Sequence, residues 1–176
     1  MEKALVGFFA RHLPPTIHPT VVHFPIAIVY LAAAVDLMAW MAPPDTRRFL
    51  TRAGWWLITA ACVAIIAAIA AGIVSEQSVH WTPATARLLS THQHWAYLTG
   101  LFAGAAWLLR LASPFRSAQG RVSGTWSVLG TGRGNLNLLA TACVVGAAVC
   151  ITVTGSLGGR MVYDHGAGVP AVAVRR

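Results

Sequence analysis

Four long apolar stretches, at about residues 20–42, 53–74, 95–112 and 135–157, alternate with polar segments along the chain. Each approaches the roughly 20 residues that a helix needs to cross the hydrocarbon of a bilayer. The expected fold is therefore all-α: an integral membrane four-helix bundle, with residues 1–176 forming one membrane domain whose short connections could not fold independently. The polar segments differ in character. Pro43, Pro44 and Asp45 predict a tight turn, residues 75–94 a polar loop, and residues 113–134, rich in Gly and Ser, a flexible basic loop.

Composition sharpens this picture. Apolar residues make up 56% of the chain and charged residues 10%, which is more apolar surface than one small soluble core could hide. A formal charge of +8 invites a nucleic-acid reading, yet no basic stripe interleaved with aromatics is present, and nucleic acid is excluded as a partner. The basic residues lie instead beside the spans. Arg47, Arg48 and Arg52 follow the first, and Arg110, Arg116, Arg121 and Arg133 flank the loop before the fourth, whereas the second loop has only Arg87. This asymmetry puts loops one and three on the cytoplasmic side of a bacterial inner membrane and both termini on the outer, periplasmic side. Trp40, Trp55, Trp56 and Trp107 then fall near the inner interface, with Trp81 and Trp95 near the outer one.

Several chemistries are excluded. Cys62, Cys143 and Cys150 each sit within an apolar run, in no disulfide or haem-attachment spacing, and read as small buried hydrophobes. LGTGRG at 129–134 follows no strand and precedes no Lys-Ser/Thr, so it is not a phosphate loop. The opening MEKALVGFFARHLPP lacks a secretory signal's apolar core, so the first span is expected to direct insertion. No Ser-His-Asp spacing, carboxylate pair or nucleophile elbow suggests catalysis by this chain alone.

The histidines carry the chemical signal. With alternating spans, His12, His18, His23, His80, His92, His94 and His165 all fall at one face, and the opposite half contains none. Neutral imidazole is the commonest protein ligand for metals and an axial ligand of haem iron. His23, just inside the first span, and His92 or His94, heading the third, start from the same face on helices running in the same direction. They are the expected axial ligands of one haem b. His18 and His165 are candidates for a second haem or for donors to the first. Pro25 deprives the Val21 carbonyl of its helical partner, so a bend or late helix start is expected near His23. Small residues in ACVAIIAAIAAG of span two, and Gly146, Ala147, Ala148 and Gly155 of span four, allow either room for a cofactor or close helix packing. Asp36 is the one acid placed within a span. It should face the bundle interior, with Arg110 as the expected partner of an intramembrane ion pair.

HPTVVHFPIAIVYLAAAVD at the first span, His92 at the third and GSLGGRMVYDHGAGV after the fourth resemble bacterial membrane proteins grouped as domain of unknown function 2231. The resemblance covers roughly residues 16–170 and falls on His18, His23, Asp36, His92, Gly158, Gly159, Tyr163, His165 and Gly166. It implies the four-span topology and tilts the ligand choice from His94 toward His92, but implies no chemistry. The functional expectation is a cytochrome b-like electron-transfer subunit. It would exchange electrons between other membrane or periplasmic redox subunits and quinone, without acting as an enzyme alone. The competing readings are a cofactor-free membrane anchor, a histidine-bound copper or zinc protein, and a histidine-based pH sensor.

Overall fold

The computed structural model describes residues 17–112 and 130–168, with side chains of the last helix described from Leu136 onward. The described residues form five helices: α1 (Ile17–Val21), α2 (His23–Met41), α3 (Pro44–Glu76), α4 (Pro83–Leu111) and α5 (Gly130–Tyr163). His12, Arg116 and Arg121 lie outside the described residues, as does the basic loop expected at 113–134 up to residue 129; its last residues, 130–134, are not loop but the first turn of α5.

The break between α1 and α2 follows from proline chemistry. Val22 separates the two helices, and Ile26 N–H donates to the Val22 carbonyl at 3.3 Å as the first hydrogen bond of α2. Pro25, in that first turn, has no amide hydrogen to continue the ladder from α1. At the other end of α2, extended Ala42 and Pro43 make a two-residue connection, and Pro44 opens α3 at a position where its missing N–H costs nothing. Arg47, Arg48 and Arg52 therefore sit on the first turns of α3.

The loop expected over 75–94 is much shorter. α3 continues to Glu76 and α4 begins at Pro83. Thr82 caps α4 reciprocally, its hydroxyl accepting from the Thr85 amide while the Thr85 hydroxyl accepts from the Thr82 amide, and Pro83 supplies a preset first-turn φ. His92 and His94 consequently stand three turns inside α4. α5 ends after Tyr163, where Gly166 takes the left-handed conformation (φ 65°) and its N–H bonds the Val162 carbonyl.

Helices α2, α3, α4 and α5 pack in a closed ring of neighbours, with α4 against α5 and α2 against α3 the closest pairs. The core is built from small and β-branched side chains, including Val29, Ala32, Ile58, Ala61, Ala103, Ala106, Val144 and Ala147. Such residues let helix backbones approach closely. The outward faces carry Leu31, Val63, Ile66, Leu101 and Val149, all exposed, which is the surface that lipid covers. Ile17–Met41, Pro44–Glu76 and Leu136–Tyr163 are long and apolar enough to cross a membrane on their own composition. α4 is the further helix, and its 29 residues are long enough for a span.

Candidate functional site

Two polar centres occupy opposite ends of the bundle. At one end, His18 on α1 and His92 on α4 face each other with ring centres 6.3 Å apart and planes nearly perpendicular, at 82°. The helices behind them fix both rings. His18 Nδ1–H donates to the Ala68 carbonyl on α3 at 3.0 Å, and His92 Nδ1–H to the Thr154 carbonyl on α5 at 2.9 Å. These bonds select the tautomer in each ring, leaving each Nε2 with a lone pair that forms no hydrogen bond among the described residues.

Glycines give the rings their places. A Cβ on Gly72 would lie 3.2 Å from His18 Cε1, and one on Gly158 would lie 3.5 Å from His92 Cε1. The first is tighter than ordinary contact, and the second is a normal van der Waals distance. Above the pair, Gln93 donates from Nε2 to Glu76 Oε2 at 3.1 Å, and Trp81 Nε1–H donates to the Glu76 carbonyl, tying α3 to α4 at this mouth.

The other sequence candidates are not drawn into this pair. His23, His80, His94 and His165 are exposed, and His94 Nδ1–H returns to the Ser90 carbonyl of its own helix. Sequence reasoning put His18 second to His23. With the break at Val22, α1 is a separate turn packed on α3, and it is His18 on that turn that meets His92. Proline at position 25 was the available signal: the expected bend separates His18 from the helix that carries His23. Among the described residues, no three His, Cys, Asp or Glu side chains converge to hold a metal ion.

At the opposite end, Asp36 of α2 and Arg110 of α4 form a directly hydrogen-bonded ion pair, with side chains 4% and 10% exposed. Gly54 of α3 lies against it: a Cβ there would be 2.5 Å from Asp36 Oδ1 and 3.0 Å from Arg110 Nη1. The backbone of α3 thus forms one wall of the pair. Trp107 Nε1–H donates to Thr59 Oγ1 at 3.1 Å, and Trp40 Nε1–H to Thr141 Oγ1 at 3.3 Å, locking the same end.

No curated protein and no solved structure matches the chain. A family model does, over residues 14–171, and so takes in both polar centres and all five helices. On that match the chain belongs to the family described as "Predicted membrane protein (DUF2231)".

Proposed function

We propose that this membrane protein is a cytochrome b-like electron-transfer subunit that holds one haem between His18 and His92. The observation that carries the reading is the spacing of the two rings. Imidazoles bound through Nε2 at about 2.0–2.1 Å on either side of one metal ion have ring centres roughly 6.2–6.6 Å apart, once about 1.1–1.2 Å from each nitrogen to its ring centre is added. The rings stand 6.3 Å apart, each anchored through Nδ1 to a carbonyl on a different helix. That is the arrangement by which an outer partner orients a ligating imidazole. Haem supplies one-electron chemistry; the chain supplies two neutral imidazoles and a low-dielectric setting. His23, His94 and His165 stay at the surface, where His165 remains a candidate for a second site.

The reading extends to placement. The arginines of α3 mark the inner side of a bacterial inner membrane, and the histidine end and both termini face the periplasm. Electrons would pass at the outer face between a periplasmic or membrane redox partner and quinone or a neighbouring subunit. A second reading, a cofactor-free anchor, draws on the same pair: 6.3 Å is also within the range of edge-to-face ring contact, and both Nδ1 atoms are already satisfied. A histidine-bound copper or zinc protein has less support, since among the described residues no third ligand joins the two imidazoles to complete a zinc site.

Absorbance of the purified full chain, produced in haem-replete cells, separates these readings. A Soret band with sharp reduced bands, lost in both His18→Ala and His92→Ala but kept in His23→Ala, is the expected result. A wild-type protein without a Soret band, or one whose spectrum survives loss of both His18 and His92, refutes the proposal.

A further inference from the structure

α3 is longer than the membrane it crosses. Its 33 residues extend about 50 Å, against roughly 30 Å of hydrocarbon, so its first turns, with Arg47, Arg48 and Arg52, stand at the level of the lipid headgroups. Arg47 donates from Nη2 back to the Ala42 carbonyl. Arg48 lies 4.0 Å from Asp45 with both side chains at the surface, too open a pairing to hold it, and Arg52 has no partner among the described residues.

Helix geometry aligns Arg52 with what lies deeper in the membrane. Phe49, Arg52, Trp56, Ala60, Val63 and Ala67 fall within about 80° of arc on one face of α3, and all six are exposed on the outside of the bundle. The Trp55 ring packs edge-on against Trp56, with centres 4.7 Å apart. From Ala60 toward the histidine end, this face becomes a groove. Ala60, Val63, Ala64 and Ala67 line one side of it and Phe24 and Ile28 of α2 the other, and its volume is about 470 Å³ with an almost wholly apolar lining.

We infer that this face of α3 binds an anionic phospholipid, with the phosphate on Arg48 and Arg52, the glycerol beside Trp56 and one acyl chain in the groove. The lengths agree. Trp56 and Ala67 are 11 residues apart, about 16.5 Å of helix, and the chains of one leaflet cover about 15 Å, half of the hydrocarbon. Indole rings favour the level between headgroup and chain, which is where Trp56 stands. Two arginines against the single carboxylate of Asp45 leave a net positive charge, and this selects an anionic headgroup over a zwitterionic one. The site is independent of the histidine pair and of what that pair holds.

Native mass spectrometry of the purified full chain tests this through the dissociation constant of the first bound lipid, measured for dioleoyl phosphatidylglycerol and for dioleoyl phosphatidylcholine. The wild type should prefer phosphatidylglycerol about tenfold, and Arg48→Gln combined with Arg52→Gln should reduce the preference to about twofold or less. Arg87→Gln, which removes an exposed arginine from the other end of the bundle, should leave it unchanged. Ala64→Leu, which fills the groove, should weaken dioleoyl phosphatidylglycerol about threefold or more, but not dihexanoyl phosphatidylglycerol, whose chains are too short to reach Ala64. Equal wild-type affinity for the two headgroups overturns the inference. A loss in Arg87→Gln as large as in the double variant overturns it too, since the charge would then act through the whole surface. So does an Ala64→Leu chain that binds dioleoyl phosphatidylglycerol as the wild type does, because the acyl chain would then lie elsewhere.

Discussion

Among the described glycines, Gly54 should be the one whose replacement by Ala does most damage. The added Cβ would lie 2.5 Å from Asp36 Oδ1, about 1 Å inside normal contact, and 3.0 Å from Arg110 Nη1. The carboxylate is 4% exposed and bonded to Arg110, so it has little room to retreat. Either α3 moves away from α2, an overpacking cost of about 1–3 kcal/mol, or the ion pair opens, which costs about 3–5 kcal/mol when burial is complete. The cheaper response sets the loss, and about 1–3 kcal/mol corresponds to a melting point lowered by roughly 2–12 °C for a chain of this size. Thermal unfolding in detergent, followed by size-exclusion chromatography, measures it. Gly104→Ala is the matched control: nothing lies within 4 Å of its Cβ, and replacing a helical glycine should then leave stability unchanged or raise it by about 0.5–1 kcal/mol. Combining Gly54→Ala with Asp36→Ala and Arg110→Leu should cancel most of the penalty, because the atoms that are struck are gone. If Gly54→Ala melts with Gly104→Ala, the close approach of α3 to the pair is wrong.

The pair itself predicts a thermodynamic cycle: Asp36→Asn should destabilise the bundle by leaving Arg110 buried without its countercharge, and Arg110→Leu added to it should recover part of the loss. Melting points of the two singles and the double measure this, and a double no better than the sum of the singles would show the residues are not partners. At the other end, Gly72→Ala should shift the His18 ring, since the new Cβ would sit 3.2 Å from Cε1, whereas Gly158→Ala meets His92 at an ordinary 3.5 Å. Proton NMR of the imidazole Nδ1–H signals should show a displaced or lost His18 resonance only in the first variant; equal spectra would refute the tight seat.

The fold was legible because bilayer crossing leaves a long, simple signature: the stretches at 53–74 and 135–157 fall inside α3 and α5, 95–112 ends one residue past α4, and 20–42 covers α2 together with the end of α1 and the break at Val22. Helix ends were less so. Hydropathy drops at residue 75 and rises at 95, but the backbone stays helical through most of that interval, because the Thr82–Thr85 caps and Pro83 start α4 well before its apolar part. The Asp36–Arg110 contact could be read from depth alone, as a lone acid and a lone base near the same end of their spans. Choosing among the histidines could not. Alternating spans were expected to gather all seven at one face, but which two of the described ones meet depends on the azimuth of each residue and on the break at Val22, and single-sequence periodicity fixes neither. Gly54 was invisible for the same reason: its role is set by the carboxylate opposite it, not by its neighbours in sequence.

The stretch expected to span at 95–112 lies in α4, which among the long described helices is the one outside the set apolar enough to cross on composition, and the structure suggests how it can cross. His92 and Arg110 are 18 residues apart, about 27 Å of helix, close to the roughly 30 Å thickness of the hydrocarbon. Its most polar groups therefore sit near the two ends of a span, and partner helices engage both: the Thr154 carbonyl takes the His92 N–H and Asp36 neutralises Arg110. Between them the helix buries Thr99, Ala103 and Ala106, and Thr99 satisfies its own hydroxyl through the Trp95 carbonyl. Polar residues within a membrane are tolerated when they face the bundle and are paired, so α4 should cross despite its lower hydropathy. Ser78 and Ala112, which flank it, should then lie on opposite sides of the membrane. In a background with Cys62, Cys143 and Cys150 replaced by Ala, Ser78→Cys and Ala112→Cys should react with a membrane-impermeant maleimide from opposite faces of sealed vesicles. Labelling of both from the same face would mean that α4 re-enters without crossing. The histidine pair and the Asp36–Arg110 pair would then no longer lie toward opposite faces of the membrane.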